Sequence, residues 1–220
     1  MPKTRQSAVV FLALFLTACF PLSSKHPLGN RVFDQQLVGV WQNDDVEMKF
    51  TRSGRNTLKL KFSTLDEDTA GEPKSLYYKV LPSQIKQKRF LSVMQFFPAE
   101  FLEDYAAVND ISYTEARRKF RNRDKRMNGH YLGYYEFREE EGLEHLEIYL
   151  IDEESQIVKA ALESGILRGG TVLTYDEENE EGEFVYLTSS SGVLTKFVGG
   201  HALEVKDLFG FEIADVVRTK

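Results

Sequence analysis

Cys19 is the only cysteine among the 220 residues. It has no partner for an internal disulfide, so its sulfur is either a free thiol or a site of modification. Other groups able to do chemistry are sparse. Ser189-Ser190-Ser191-Gly192 offers hydroxyls but lacks the Gly-x-Ser-x-Gly elbow that presents a serine nucleophile, and reads as the start of a helix. His26, His130, His145 and His201 do not pair with one another or with a cysteine at metal-ligand spacing. They read as surface or interface histidines, with His130 and His145 as candidate neighbours across a hairpin. The acidic run Asp176, Glu177, Glu178, Glu180, Glu181 and Glu183 departs from a calcium loop, because Gly182 falls one place late after Asp176. It reads as a solvated loop, since blocks of like charge repel. No carboxylate pair stands out, so the expectation is a protein without catalytic residues, metal or cofactor.

A basic cluster offers binding rather than catalysis. Arg117, Arg118, Lys119, Arg121, Arg123, Lys125 and Arg126 fall within ten residues, with Asp124 the only acid among them. On a helix they would cover much of the surface. One reading is contact with lipid headgroups or an acidic partner, where each basic group contributes about 1 kcal/mol. The other is a solvated insertion that balances the acidic loops.

The surroundings of Cys19 say what its sulfur is for. A basic head with Lys3 and Arg5 leads into the apolar run Ala8 to Leu16, followed by small residues. That order is the order of a secretory signal peptide. The run is also short of the ~20 apolar residues that a spanning helix needs. Leu16-Thr17-Ala18-Cys19 resembles the lipobox of bacterial lipoproteins. The resemblance implies cleavage between Ala18 and Cys19 and a diacylglyceryl group on the sulfur. It also implies acylation, palmitate being one such chain, at the new amino group. Two or more acyl chains make a stable anchor where one does not. Phe20 stands where an Asp would favour retention in the inner membrane. The expected place is therefore the periplasmic face of the outer membrane.

Residues 1–18 thus read as signal peptide and 19–36 as a lipidated tether, on the strength of Pro21, Pro27, Ser23-Ser24 and Gly29. Residues 37–220 are left as one domain, long enough for a substantial core. The net charge of −6 becomes more negative once Lys3 and Arg5 leave, which argues against a nucleic-acid partner.

Strand patterns follow in sequence over 37–41, 46–50, 57–62, 76–81 and 90–97. Leu58, Leu60 and Phe62 alternate with Lys59 and Lys61, and Ser53-Gly54-Arg55-Asn56 supplies the turn before them. The apolar density of 90–97 points to burial on both faces or to a cavity wall. Pro98 opens a helix, and Ser112-Tyr113-Thr114-Glu115 has capping-box spacing for a second. Together they form a helical insertion near 98–126. Strands resume over 130–138 and 143–151. A helix over 153–164 is capped by Asp152 and ended by Gly165. A strand at 184–187, a helix from Ser189 or Ser190 and a last strand at 211–217 complete the chain. About eight mostly sequential strands with short helices predict a mainly β fold, an antiparallel meander closing into a barrel or curved sheet.

Gly39-x-Trp41, at the start of the first strand, is similar to the Gly-x-Trp signature of lipocalin-type barrels. There the Trp plugs the closed end of the barrel and the Gly lets the chain pack closely. The helices depart from a plain lipocalin. The wider pattern through Leu146-Glu147-Ile148-Tyr149-Leu150-Ile151-Asp152 and Gly165-Ile166-Leu167-Arg168-Gly169 resembles a family of envelope lipoproteins to which no activity is attached. The functional expectation is a non-enzymatic, lipid-anchored envelope protein. It would bind an apolar small molecule in its barrel or an envelope protein on its surface. The alternative is a structural or assembly lipoprotein with a solid core and a basic docking helix, and a hydrolase comes third. The tyrosines and phenylalanines at 77, 78, 96, 97, 101, 105, 131, 134 and 135 either line a pocket or fill a core.

Overall fold

The fold is given by a computed structural model that describes residues 22–65, 75–121, 129–151, 155–175, 181–202 and 205–219. Its centre is an eight-stranded antiparallel barrel. The strands are β2 (Gly39–Gln42), β3 (Val46–Gly54), β4 (Thr57–Thr64), β5 (Ser75–Ile85), β6 (Lys88–Gln95), β7 (His130–Glu140), β8 (Leu143–Leu150) and β11 (Phe211–Arg218). Each pairs with the next, and β11 returns to β2 through Val217–Gln42 and Arg218–Trp41. Closure leaves this ring of strands without a free edge. The alternation read from the sequence is the one observed. Leu58, Leu60 and Phe62 of β4, Met48 and Phe50 of β3, and Leu146, Ile148 and Leu150 of β8 are all buried.

Two helices, α1 (Ala99–Val108) and α2 (Tyr113–Arg121), fill the long connection from β6 to β7. The predicted capping box is formed. Glu115 N–H donates to Ser112 Oγ at 3.2 Å, and Ser112 N–H donates to Glu115 Oε2 at 3.0 Å.

A second core lies outside the barrel. Phe90 of β6 and Leu132 and Tyr134 of β7 point away from the interior and pack with α3 (Gln156–Glu163), α4 (Ser191–Gly200) and α5 (Val205–Leu208). Strand β6 is therefore buried on both faces over Phe90, Leu91 and Ser92. Ser155, not Asp152, stands at the N-cap position of α3, and Asp152 falls outside the described residues. Gly165 follows α3 with φ +75°, as a helix-ending glycine should. The hairpin β9 (Gly169–Tyr175) and β10 (Glu181–Leu187) completes this layer. Sequence reading missed β9 because it opens on Gly169-Gly170, which weakens any strand signal.

The tether is shorter than the sequence reading has it. Leu22 and Leu28 are buried in the second core. The two-residue β1 (Ser23–Ser24) pairs with the start of β7 and with the end of β10. From there the chain crosses the outside of the barrel as a strap. Leu28 N–H donates to Ser92 Oγ at 2.9 Å, and Arg31 bridges Ser83 on the part of β5 beyond its last pair with β4. Proline and serine content suggests a linker, but the apolar residues between them find a groove to fill.

Candidate functional site

Residues from the first and last strands of the barrel meet around Trp41. A short 3-10 turn, Gln35–Leu37, precedes β2 and is capped by Asp34, whose carboxylate accepts from Gln36 N–H at 2.9 Å. Trp41 lies fully buried beneath this turn and donates from its indole N–H to the Leu37 carbonyl at 2.9 Å. Arg218 of β11 lays its guanidinium over the Trp41 ring, 4.2 Å from the centroid. The same group donates to the carbonyls of Val38, at 3.0 Å, and Gln36, and to Glu144 at 2.5 Å. Gly39 has φ +142°, and a Cβ there would stand 2.8 Å from Arg218 Nη1. The glycine of Gly39-x-Trp41 therefore makes room for the arginine.

A polar ring surrounds this plug. The Gln36 amide donates to Glu144 at 2.6 Å and accepts from Arg89 at 2.8 Å. Tyr135 donates to Asp34 at 2.8 Å. The Gln36 amide and the Arg218 guanidinium hold the Glu144 carboxyl below its usual value. Burial, with Asp34 beside it, pushes the Tyr135 hydroxyl well above its usual range. Sequence reading found Gly39 and Trp41 but not Asp34, Arg89, Glu144 or Arg218. A lone arginine in a final strand carries no local signal.

The interior holds an apolar cavity of about 30 Å³, walled by Met48, Phe50, Leu60, Leu91, Val93 and Ile148 among others, with the rings of Tyr78 and Tyr131. Sites for drug-sized ligands run to several hundred Å³. Gly133 shows how tightly the wall is packed, because a Cβ there would lie 2.7 Å from Leu91 Cδ1. The aromatics divide between cores. Tyr78 and Tyr131 face the cavity, Tyr134 the outer core and Tyr135 the plug. Phe97, Phe101, Tyr105 and Phe120 cluster between the helices, with Phe97 and Phe120 centroids 4.4 Å apart.

That cluster sets the basic helix. Ala116 and Phe120, one turn apart, face inward, so Arg117, Arg118 and Lys119 are exposed. Lys119 also lies over the Tyr105 ring at 5.5 Å. Arg121 ends α2. Arg123, Lys125 and Arg126 fall outside the described residues, as do Cys19 and Asp176, Glu177, Glu178 and Glu180. Glu181 and Glu183 belong to β10 rather than to a loop.

The histidines stand apart. His145 pairs in register with Arg138, so His130, at the far end of β7, is not its neighbour across the hairpin. Instead His145 Nδ1 meets Asp215 at 3.0 Å, in a polar ladder where Arg138 also reaches Asp215, at 2.8 Å, and Glu147. His201 packs on Phe197. His130 sits beside β1. Burial, aided by Arg31, Lys79 and His26, pushes it down to about 4. Among the described residues, no three His, Cys, Asp or Glu side chains gather as metal ligands. No helix among them is long and apolar enough to cross a membrane.

Replacing Arg218 with Met should cost about 2–4 kcal/mol, because the ring loses its cation and two carbonyls and a carboxylate lose their donor. Trp41 is the sole tryptophan, so its emission should shift to the red. An unchanged melting curve and spectrum would show that the clamp is idle. His130 carries a pH dependence of definite sign. Between the ordinary value of 6.5 and about 4 the unfolded chain holds a proton that the folded chain lacks. Its contribution is complete above 6.5 and is lost as the pH falls toward 4. Urea titrations of wild type and His130→Gln at pH 7 and 4.5 check this. The variant should lose less stability on acidification, and equal losses would count against it.

Comparison with protein-family models, with curated proteins and with solved structures found no match for this chain.

Proposed function

We propose that this chain is a lipid-anchored protein of the bacterial cell envelope, held by acyl chains on Cys19 at the periplasmic face of the outer membrane. Its barrel acts as a rigid, non-catalytic body whose outer surface meets a membrane or an envelope partner. The observation that carries this reading is the filled interior. Among the described residues, the cavity inside the barrel measures about 30 Å³, small beside the several hundred Å³ of sites for drug-sized ligands. The basic residues exposed on α2 and the plug of Gly39, Trp41 and Arg218 support it too. The similarity of Leu16-Thr17-Ala18-Cys19 to a lipobox supplies the address. A second reading, capture of a small apolar molecule, draws on the fully apolar lining of the cavity.

Two measurements test these readings. A Cys19→Ala chain should stay uncleaved and take up no labelled palmitate, and normal maturation of that variant would remove the anchor from the proposal. A fluorescent fatty acid titrated against the purified protein should show no saturable change in its own emission. Saturable binding at micromolar concentration would favour the second reading.

A further inference from the structure

The strap and the start of β7 bring basic groups together beside the point where the chain leads back toward Cys19. In register, Lys79 of β5 stands opposite Met94 of β6, and Val93 stands opposite Tyr131. His130, the next residue along β7, pairs with Ser24 of β1, and exposed Lys25 follows. Exposed Arg31 is fixed to β5 through Ser83, four residues beyond Lys79. The charges that bear on His130 come from Arg31, Lys79 and His26, all of them basic. Lys59 of β4, opposite Lys79 in register, pairs with Glu100 at 3.2 Å. Gly129, where the chain enters β7, is packed against Ser23. A Cβ on it would meet Ser23 Oγ at 3.0 Å.

Leu22 is already buried in the second core. Three peptide units separate it from Cys19, a reach of about 10 Å when fully extended. A lipid on that sulfur would therefore hold Leu22, and the strap that starts there, close to the headgroups. There each lysine or arginine contributes roughly fivefold to partitioning onto an anionic surface.

We infer that the barrel face carrying Lys25, Arg31 and Lys79 lies against anionic lipid headgroups and acts as a second membrane contact beside the Cys19 anchor. This rests on the lipoprotein reading proposed above. Acyl chains would supply depth, and the basic face would fix which side of the barrel looks at the bilayer and which leaflets hold it best. The opposite surfaces, including the Arg138–Asp215 ladder on β7, β8 and β11, would then be turned to other partners.

The test is a competition between two separable vesicle populations. One is pure phosphatidylcholine, and the other contains 30 per cent phosphatidylglycerol by design. The full-length protein, purified from membranes, is divided between them at 50 mM and 500 mM salt, beside a Lys25→Gln, Arg31→Gln, Lys79→Gln variant. Wild type should favour the anionic vesicles about tenfold or more at low salt and lose that preference at high salt. The variant should show little preference at either. A variant that keeps the wild-type preference overturns the inference, as does a wild type with no preference. Unchanged Trp41 emission checks that the variant is folded, and single substitutions at the exposed Lys25 and Lys79 provide milder replacements. The mass of the N-terminal peptide from the same preparations shows whether Cys19 carries lipid. An unmodified Cys19 would sink the anchor, while the vesicle preference would still be read on its own.

Discussion

The cation over the indole is the contact on which this barrel depends. An up-and-down sheet closes only if its first and last strands meet, and here they meet at Arg218 and Trp41. The guanidinium is planar and covers the ring. Its remaining donors reach the carbonyls of Val38 and Gln36, at and just after the 3-10 turn. A lysine would supply the charge without the plane or the fork. Gly39 belongs to the same arrangement, since any side chain there would occupy the space of the arginine head.

From that end the rest of the architecture follows. Inward-facing rows of Leu, Ile, Phe and Met fill the barrel, and closure leaves no row of unpaired amides around it. The outer faces of β5 to β7 also carry apolar residues, Ile85, Phe90, Leu132 and Tyr134, and these need a cover. The helices after β8 and the strap after residue 22 provide it. The chain therefore carries two cores that share one sheet.

Much of the barrel was legible because period-two alternation is a local signal. Leu58, Leu60 and Phe62 announce their face without knowledge of any partner strand. The capping box at Ser112 was legible for the same reason. What escaped was non-local. The strap reads as a linker because Pro21, Ser23 and Ser24 dominate its local chemistry, while the groove that holds Leu22 and Leu28 is built by residues from 85 onward. The plug was half visible. Gly39 and Trp41 are two residues apart, but their partner Arg218 comes at the other extreme of the chain. The basic face is likewise assembled from three separate segments, so no window of sequence displays it.

The span of the clamp also orders events in time. Arg218 bonds to Val38 and Gln36 across separations of 180 and 182 residues. A chain delivered N-terminus first can form the β3–β4 and β5–β6 hairpins as they emerge, since their pairings are local. It cannot seal the barrel until its last strand has arrived. Loop closure of that length is slow compared with hairpin formation. For that interval the inner apolar rows stand open and can pair with the wrong neighbours. A companion that shelters open sheets would matter most to this protein then, before Arg218 reaches Trp41.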